Sequence, residues 1–147
     1  MRFLLILATS IVSAISLISC NKQQIEPNPA STATASSLTT ATAKAVGSWQ
    51  LIAMLSGWTG RSTLVLQNIE LVIDDKLQAV YYENGKEVSR FKYRLKATDS
   101  GIRYSIVDQV GKPTFYIQSE GILRVNDQNL IIGDTYVDGT DYTFNRK

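Results

Sequence analysis

From Arg90 to Lys96 the chain alternates strictly: Phe91, Tyr93 and Leu95 are separated by Arg90, Lys92, Arg94 and Lys96. In a helix these seven residues would scatter cations around the whole circumference. In a strand they give one apolar face and one solvated face. No segment downstream of Val46 carries a sustained apolar stripe of helical period, and turn signals break the sequence at short intervals. They are Asp74-Asp75, Asn84-Gly85, Asp99-Ser100-Gly101, Val110-Gly111-Lys112-Pro113, Asn126-Asp127-Gln128 and Asp138-Gly139. Asn-Gly and Asp-Gly suit hairpin turns because both central residues there need positive φ. Short alternating runs with regular turns predict an all-β domain, a barrel or a sandwich.

Eight strands follow from the alternation. Ser48–Leu55 points Trp49, Leu51, Ala53 and Leu55 inward, Asn68–Asp74 points Ile69, Leu71 and Ile73, and Leu77–Glu83 points Leu77, Ala79 and Tyr81. Glu87–Lys96 and Ile102–Asp108 come next, the latter with Ile102, Tyr104 and Ile106 inward. Phe115, Ile117, Ser119, Gly121, Leu123 and Val125 then keep one phase from Thr114 to Val125. This predicts a single long strand bent at Gly121, since glycine inside a strand marks a bend or bulge. Asn129–Tyr136 and Asp141–Arg146 complete the set. Eight strands linked mostly by hairpins predict a small antiparallel up-and-down β-barrel, whose interior is either filled or holds one small ligand. A two-sheet β-sandwich fits the same alternation.

The first 45 residues have a different character. Arg2 precedes an apolar run from Phe3 to Ile18, interrupted by Thr9, Ser10, Ser13 and Ser16. A charged start, a short apolar stretch and a small residue at the end make up a secretory signal, and the run is too polar for a spanning helix. Leu17-Ile18-Ser19-Cys20 resembles the bacterial lipoprotein signal, which implies cleavage after Ser19 and acylation of Cys20. More than one acyl chain holds a protein stably on a membrane. Residues 20–45, rich in Ser, Thr and Ala, show no periodic apolar face and are expected to be a disordered tether. Such a tether has a root-mean-square span of about 25–30 Å. Residues 46–147 form the folded domain. Asn21-Lys22-Gln23-Gln24 lacks acidic residues, and by resemblance to known lipoprotein signals it implies the periplasmic face of an outer membrane.

Gly47-Ser48-Trp49 on the first strand resembles the Gly-X-Trp signature of lipocalins and related calycins. In that superfamily an arginine on the closing strand packs over the tryptophan, and Arg146 stands in the matching position. Together with the lipobox, the polar tether, the Gly57-Trp58-Thr59-Gly60-Arg61 loop and the closing Tyr142-Thr143-Phe144-Asn145-Arg146, the chain is similar to lipocalin-like lipoproteins of the Bacteroidetes type. The resemblance covers Val46 to Lys147. It implies that Trp49 and Arg146 close a lipocalin-like barrel, and it says little about substrate.

The chemistry open to the chain is narrow. There is no histidine and a single cysteine, so imidazole metal ligands, Ser-His-Asp systems and intrachain disulfides are excluded. Without Arg2, one of 15 basic residues, the balance is 14 against 13 acidic ones, which points to no nucleic-acid partner. No carboxylate pair stands out for acid–base work. Asp134, Asp138 and Asp141 surround a turn, and their spacing does not match a calcium loop. The expectation is a monomeric binding protein, not an enzyme, with no cofactor or metal, taking a small hydrophobic or amphiphilic ligand. Trp58 reads either as a lid over the barrel mouth, with Arg61 meeting a ligand carboxylate, or as a plug in it. Tyr81, Phe91, Tyr93, Tyr104, Phe115 and Ile117 line the interior, as a ligand wall or as core filling. The Arg90–Lys96 stripe reads as an outer face paired with Glu83 or Glu87, or as a contact for anionic lipid or polysaccharide. With a filled barrel, the alternative function is a protein or glycan interaction module of the envelope.

Overall fold

A computed structural model describes residues 37–114, 117–133 and 138–147. Helix α1 (Leu38–Ala45) leads into nine strands: β1 (Gly47–Ser56), β2 (Ser62–Leu64), β3 (Ile69–Ile73), β4 (Gln78–Glu83), β5 (Lys86–Thr98), β6 (Gly101–Gly111), β7 (Glu120–Val125), β8 (Asn129–Gly133) and β9 (Thr140–Arg146). All neighbours pair antiparallel in the order β2-β1-β3-β4-β5-β6-β7-β8-β9, and β1 also pairs with β9. That last ladder runs from Trp49 opposite Arg146 to Ser56 opposite Thr140. The sheet therefore closes into an eight-stranded barrel carrying β2 as an extra strand, and the sandwich alternative falls, because a sandwich leaves its sheet edges unjoined.

The alternation that predicted the strands also sets the core. Phe91 and Tyr93 of β5 are buried while Arg90, Lys92, Arg94 and Lys96 are exposed. Trp49, Leu51, Ile69, Leu71, Tyr81, Leu130, Ile132 and Phe144 are all at most 1% exposed and belong to one continuous apolar cluster. Asn84 and Gly85 have φ of 52° and 78°, the paired positive values that a tight hairpin between β4 and β5 needs.

Four expectations are corrected. First, the last part of the expected tether is helical. Ser37 caps α1, its Oγ accepting from Thr40 N at 3.2 Å, and Ala41 and Ala45 sit one turn apart in the core. A helix this short is marginal in isolation. Burial of its two alanines against β5 and β7 supplies what propensity does not. Second, the strand expected over 114–125 begins only at Glu120, and Ser119 is exposed instead of facing inward. Gly121 is buried, and its side-chain position is taken up by the carbonyl of Gly133 and the Tyr104 ring. The glycine permits close strand packing here.

Third, the phase of β1 changes halfway. Leu51 opposes Phe144 and Ala53 opposes Thr143, so Ile52 is an extra residue, a β-bulge. Beyond it Met54 packs on the core, and Leu55, expected inward, is 36% exposed. Fourth, β2 is a strand beyond the eight that the alternation predicts. It continues β1 as a hairpin, with Ala53 opposite Leu64 and Leu55 opposite Ser62, and all three of its residues are exposed.

Candidate functional site

Two places carry the residues singled out by the sequence: the end of the barrel where β1 starts, and the aromatic interior.

At the first, Arg146 Cζ lies 4.0 Å from the centre of the Trp49 ring. A cation over an indole contributes roughly 0.5–2 kcal/mol. The guanidinium also donates to three carbonyls: Nε to Asp127 O at 2.9 Å, Nη1 to Val46 O at 2.9 Å and Nη2 to Lys44 O at 2.5 Å. Trp49 Nε1 donates to Ala45 O at 2.8 Å. Lys44 O, Ala45 O and Val46 O are the carbonyls that the end of α1 leaves without intrahelical partners. Trp49 and Arg146 thus cap a helix as well as close a barrel. Gly47 has φ of 139°, and a Cβ there would collide with Arg146 Nη1. Both facts demand glycine at that position. Lys44 adds an ion pair to Asp127 at 2.9 Å.

Inside, Tyr81, Phe91, Tyr93, Tyr104 and Ile117 are brought together in the core, each at most 4% exposed. Phe115 lies outside the described residues, as does Cys20. The rings of Phe91 and Tyr93 meet edge to face at 5.2 Å, and those of Tyr93 and Tyr104 at 5.6 Å. Tyr104 donates its hydroxyl to Gln118 O at 3.2 Å. By contrast, the hydroxyls of Tyr81 and Tyr93 are fully buried without a hydrogen-bond partner, and so is Gln118 Oε1. A buried polar group left unpaired costs about 1–3 kcal/mol. Burial raises the pKa of both hydroxyls well above the usual tyrosine range. The Glu83 carboxylate and then Tyr142 push Tyr81 further, and Tyr104 and Tyr81 push Tyr93. Both remain protonated and able to donate at any physiological pH. Directly opposite Tyr81 across the β4–β5 ladder stands Ser89, a small buried residue whose Oγ donates to Val110 O at 3.1 Å.

Trp58 is not packed as a plug in the barrel. It is 79% exposed at the tip of the β1–β2 hairpin, and Arg61 is exposed beside it. Backbone bonds tie the hairpin to itself, from Ser56 N to Arg61 O, and to the turn before β9, from Gly57 N to Gly139 O. Leu64 and Leu66, 62% and 95% exposed, lie on the same hairpin and the segment after it. Sequence alternation gave no hint of this surface because β2 was not legible.

On the outer wall Glu87 pairs with Arg90 through both carboxylate oxygens, at 3.2 and 3.1 Å. Glu83 instead accepts from the backbone N and the hydroxyl of Thr114, each at 2.6 Å. Arg94, Lys96, Arg103 and Glu120 line an open groove of about 440 Å³ over β5 and β6. Asp141, the buried charged side chain among the described residues, is paired with Arg124. Asp134 lies outside the described residues, and among those described no group of three acidic or thiol ligands is close enough to hold a metal.

The chain was compared with known protein families, with curated proteins and with solved structures, and it matches none of them.

Proposed function

We propose that this protein is a lipocalin-like envelope lipoprotein, anchored through Cys20 on the periplasmic face of an outer membrane, that binds a small hydrophobic or amphiphilic molecule inside its barrel without catalysing a reaction. The observation that carries the reading is the pair of fully buried, unpartnered hydroxyls of Tyr81 and Tyr93 within an otherwise apolar interior. Cores built only for stability pair such groups or leave them out. Ligand sites, in contrast, are mostly apolar with a few placed polar atoms. The Gly47, Trp49 and Arg146 closure supports the lipocalin kinship, since each of the three is fixed by contact with another.

Native mass spectrometry of the full chain purified from its own cells tests the reading. A molecule of a few hundred daltons should accompany the wild type and be lost from Tyr93→Ala. A chain that carries nothing when folded would defeat it.

A second reading rests on a separate observation. Trp58 and Leu64 on the β1–β2 hairpin and Leu66 on the segment after it expose large apolar side chains, which suits an interaction module whose binding surface lies outside the barrel. In that case Trp58→Ala weakens partner capture and leaves the interior unchanged.

A further inference from the structure

Among the described residues, the buried side-chain polar atoms without a partner are the Tyr81 and Tyr93 hydroxyls, which can donate, and the acceptor Gln118 Oε1. No Lys or Arg among the described residues is buried. Among the half-buried cations, Arg146 is engaged on the helix end, Arg124 on Asp141 and Lys44 on Asp127. The charged group that acts most on the Tyr81 hydroxyl is a carboxylate, Glu83, which accepts from Thr114. A ligand carboxylate or phosphate drawn into this interior would lose its hydration, meet no cation and feel a like charge. An unpaired buried ion is among the most costly things a protein can hold. An uncharged oxygen has no such penalty, and two tyrosine hydroxyls are well suited to it because each has a proton to donate.

We propose that Tyr81 and Tyr93 form a donor pair that selects an uncharged, largely apolar ligand through a carbonyl, ether or hydroxyl oxygen. This rests on the reading of the barrel as a binding cavity and narrows it, setting aside the fatty-acid-like anions that an exposed Arg61 would otherwise have suggested. Tyr93 is held by its edge-to-face contacts with Phe91 and Tyr104, so its hydroxyl is placed before any ligand arrives. Such placement lowers the ordering cost of binding. Across from Tyr81, Ser89 occupies little volume and has already spent its own proton on Val110 O.

Three probes of similar length separate the possibilities: 2-undecanone, undecane and decanoate. Each is titrated at about pH 8 against the full chain in phosphatidylcholine nanodiscs, and affinity is read from the shift in melting temperature. The same titrations are run on the Tyr81→Phe/Tyr93→Phe double variant. Loss of two hydrogen bonds to a neutral acceptor should weaken 2-undecanone by about tenfold or more, while undecane changes by less than about twofold. Decanoate should bind more weakly than 2-undecanone to the wild type. The variant keeps both ring volumes and removes only unpartnered hydroxyls, so its unliganded melting temperature should match or exceed that of the wild type. That match shows that any loss of affinity is not a loss of fold. If decanoate binds best, or if 2-undecanone binds both proteins equally, the donor pair is refuted while the cavity stands. If none of the three binds, the cavity reading falls and the donor pair with it.

Discussion

Single residues in this barrel have more than one duty, and Arg146 shows how that can be measured. Its guanidinium stacks on Trp49 and donates to Lys44, Val46 and Asp127 carbonyls. Arg146→Met removes all of these and leaves the Lys44 and Val46 carbonyls at the end of α1 without these donors, so stability should fall by about 2–4 kcal/mol. Urea denaturation should show this as a lower midpoint with an unchanged slope. Arg146→Lys keeps the charge and not the planar fork, so it should restore less than half of the loss. The tyrosines give a second residue-scale prediction. An unfolded tyrosine ionises near pH 10. In the folded state burial holds Tyr81 and Tyr93 protonated well above that. Above about pH 10 the folded state therefore binds more protons than the unfolded one, and stability falls as pH rises. Below that pH the contribution is fully present. Each such tyrosine steepens the decline by about 1.4 kcal/mol per pH unit. Tyr81→Phe and Tyr93→Phe should each make the alkaline loss shallower, as followed by denaturation midpoints across that range.

Among the elements, those written in period two were legible, and those set by a neighbour were not. β5 could be read directly because Phe91 and Tyr93 alternate with four cations, and the β4–β5 turn because Asn84-Gly85 has few other uses. The closure of β1 on β9 rested on three residues, Gly47, Trp49 and Arg146, whose separation along the chain gives no local pattern; only a family resemblance joined them. Helix α1 was misread because Thr and Ser weaken its propensity, while the burial of Ala41 and Ala45 that stabilises it depends on β5 and β7. The bulge at Ile52 was invisible for a related reason. Ile52, Ala53, Met54 and Leu55 are all apolar, so a change of phase among them leaves no trace in composition. For the interior, sequence named Tyr81, Phe91, Tyr93, Tyr104 and Ile117 as inward, and the fold brings them together. Which hydroxyls lack partners depends on distances across the barrel, and no strand records those alone. Trp58 was misplaced because its hairpin partner β2 is short, exposed and without alternation.

At the scale of the whole molecule, the proposed attachment and the described fold lie in different parts of the chain. The barrel closes through β1 and β9, and carbonyls at the end of α1 are taken by Trp49 and Arg146. Over the whole chain the basic and acidic residues nearly balance, 15 against 13. Among the described residues no helix is long and apolar enough to cross a membrane. Under the proposed anchoring, attachment depends on Cys20, which lies outside the described residues. Growth of the source cells on labelled palmitate should place label on the wild type, and Cys20→Ser should abolish it. The two proteins should have stabilities within about 0.5 kcal/mol of each other, the size expected of a substitution that leaves the fold alone. Label that survives in Cys20→Ser would reject the anchor. A large loss of stability with the label gone would mean that the segment before Ser37 contributes to the fold, and would reject the separation.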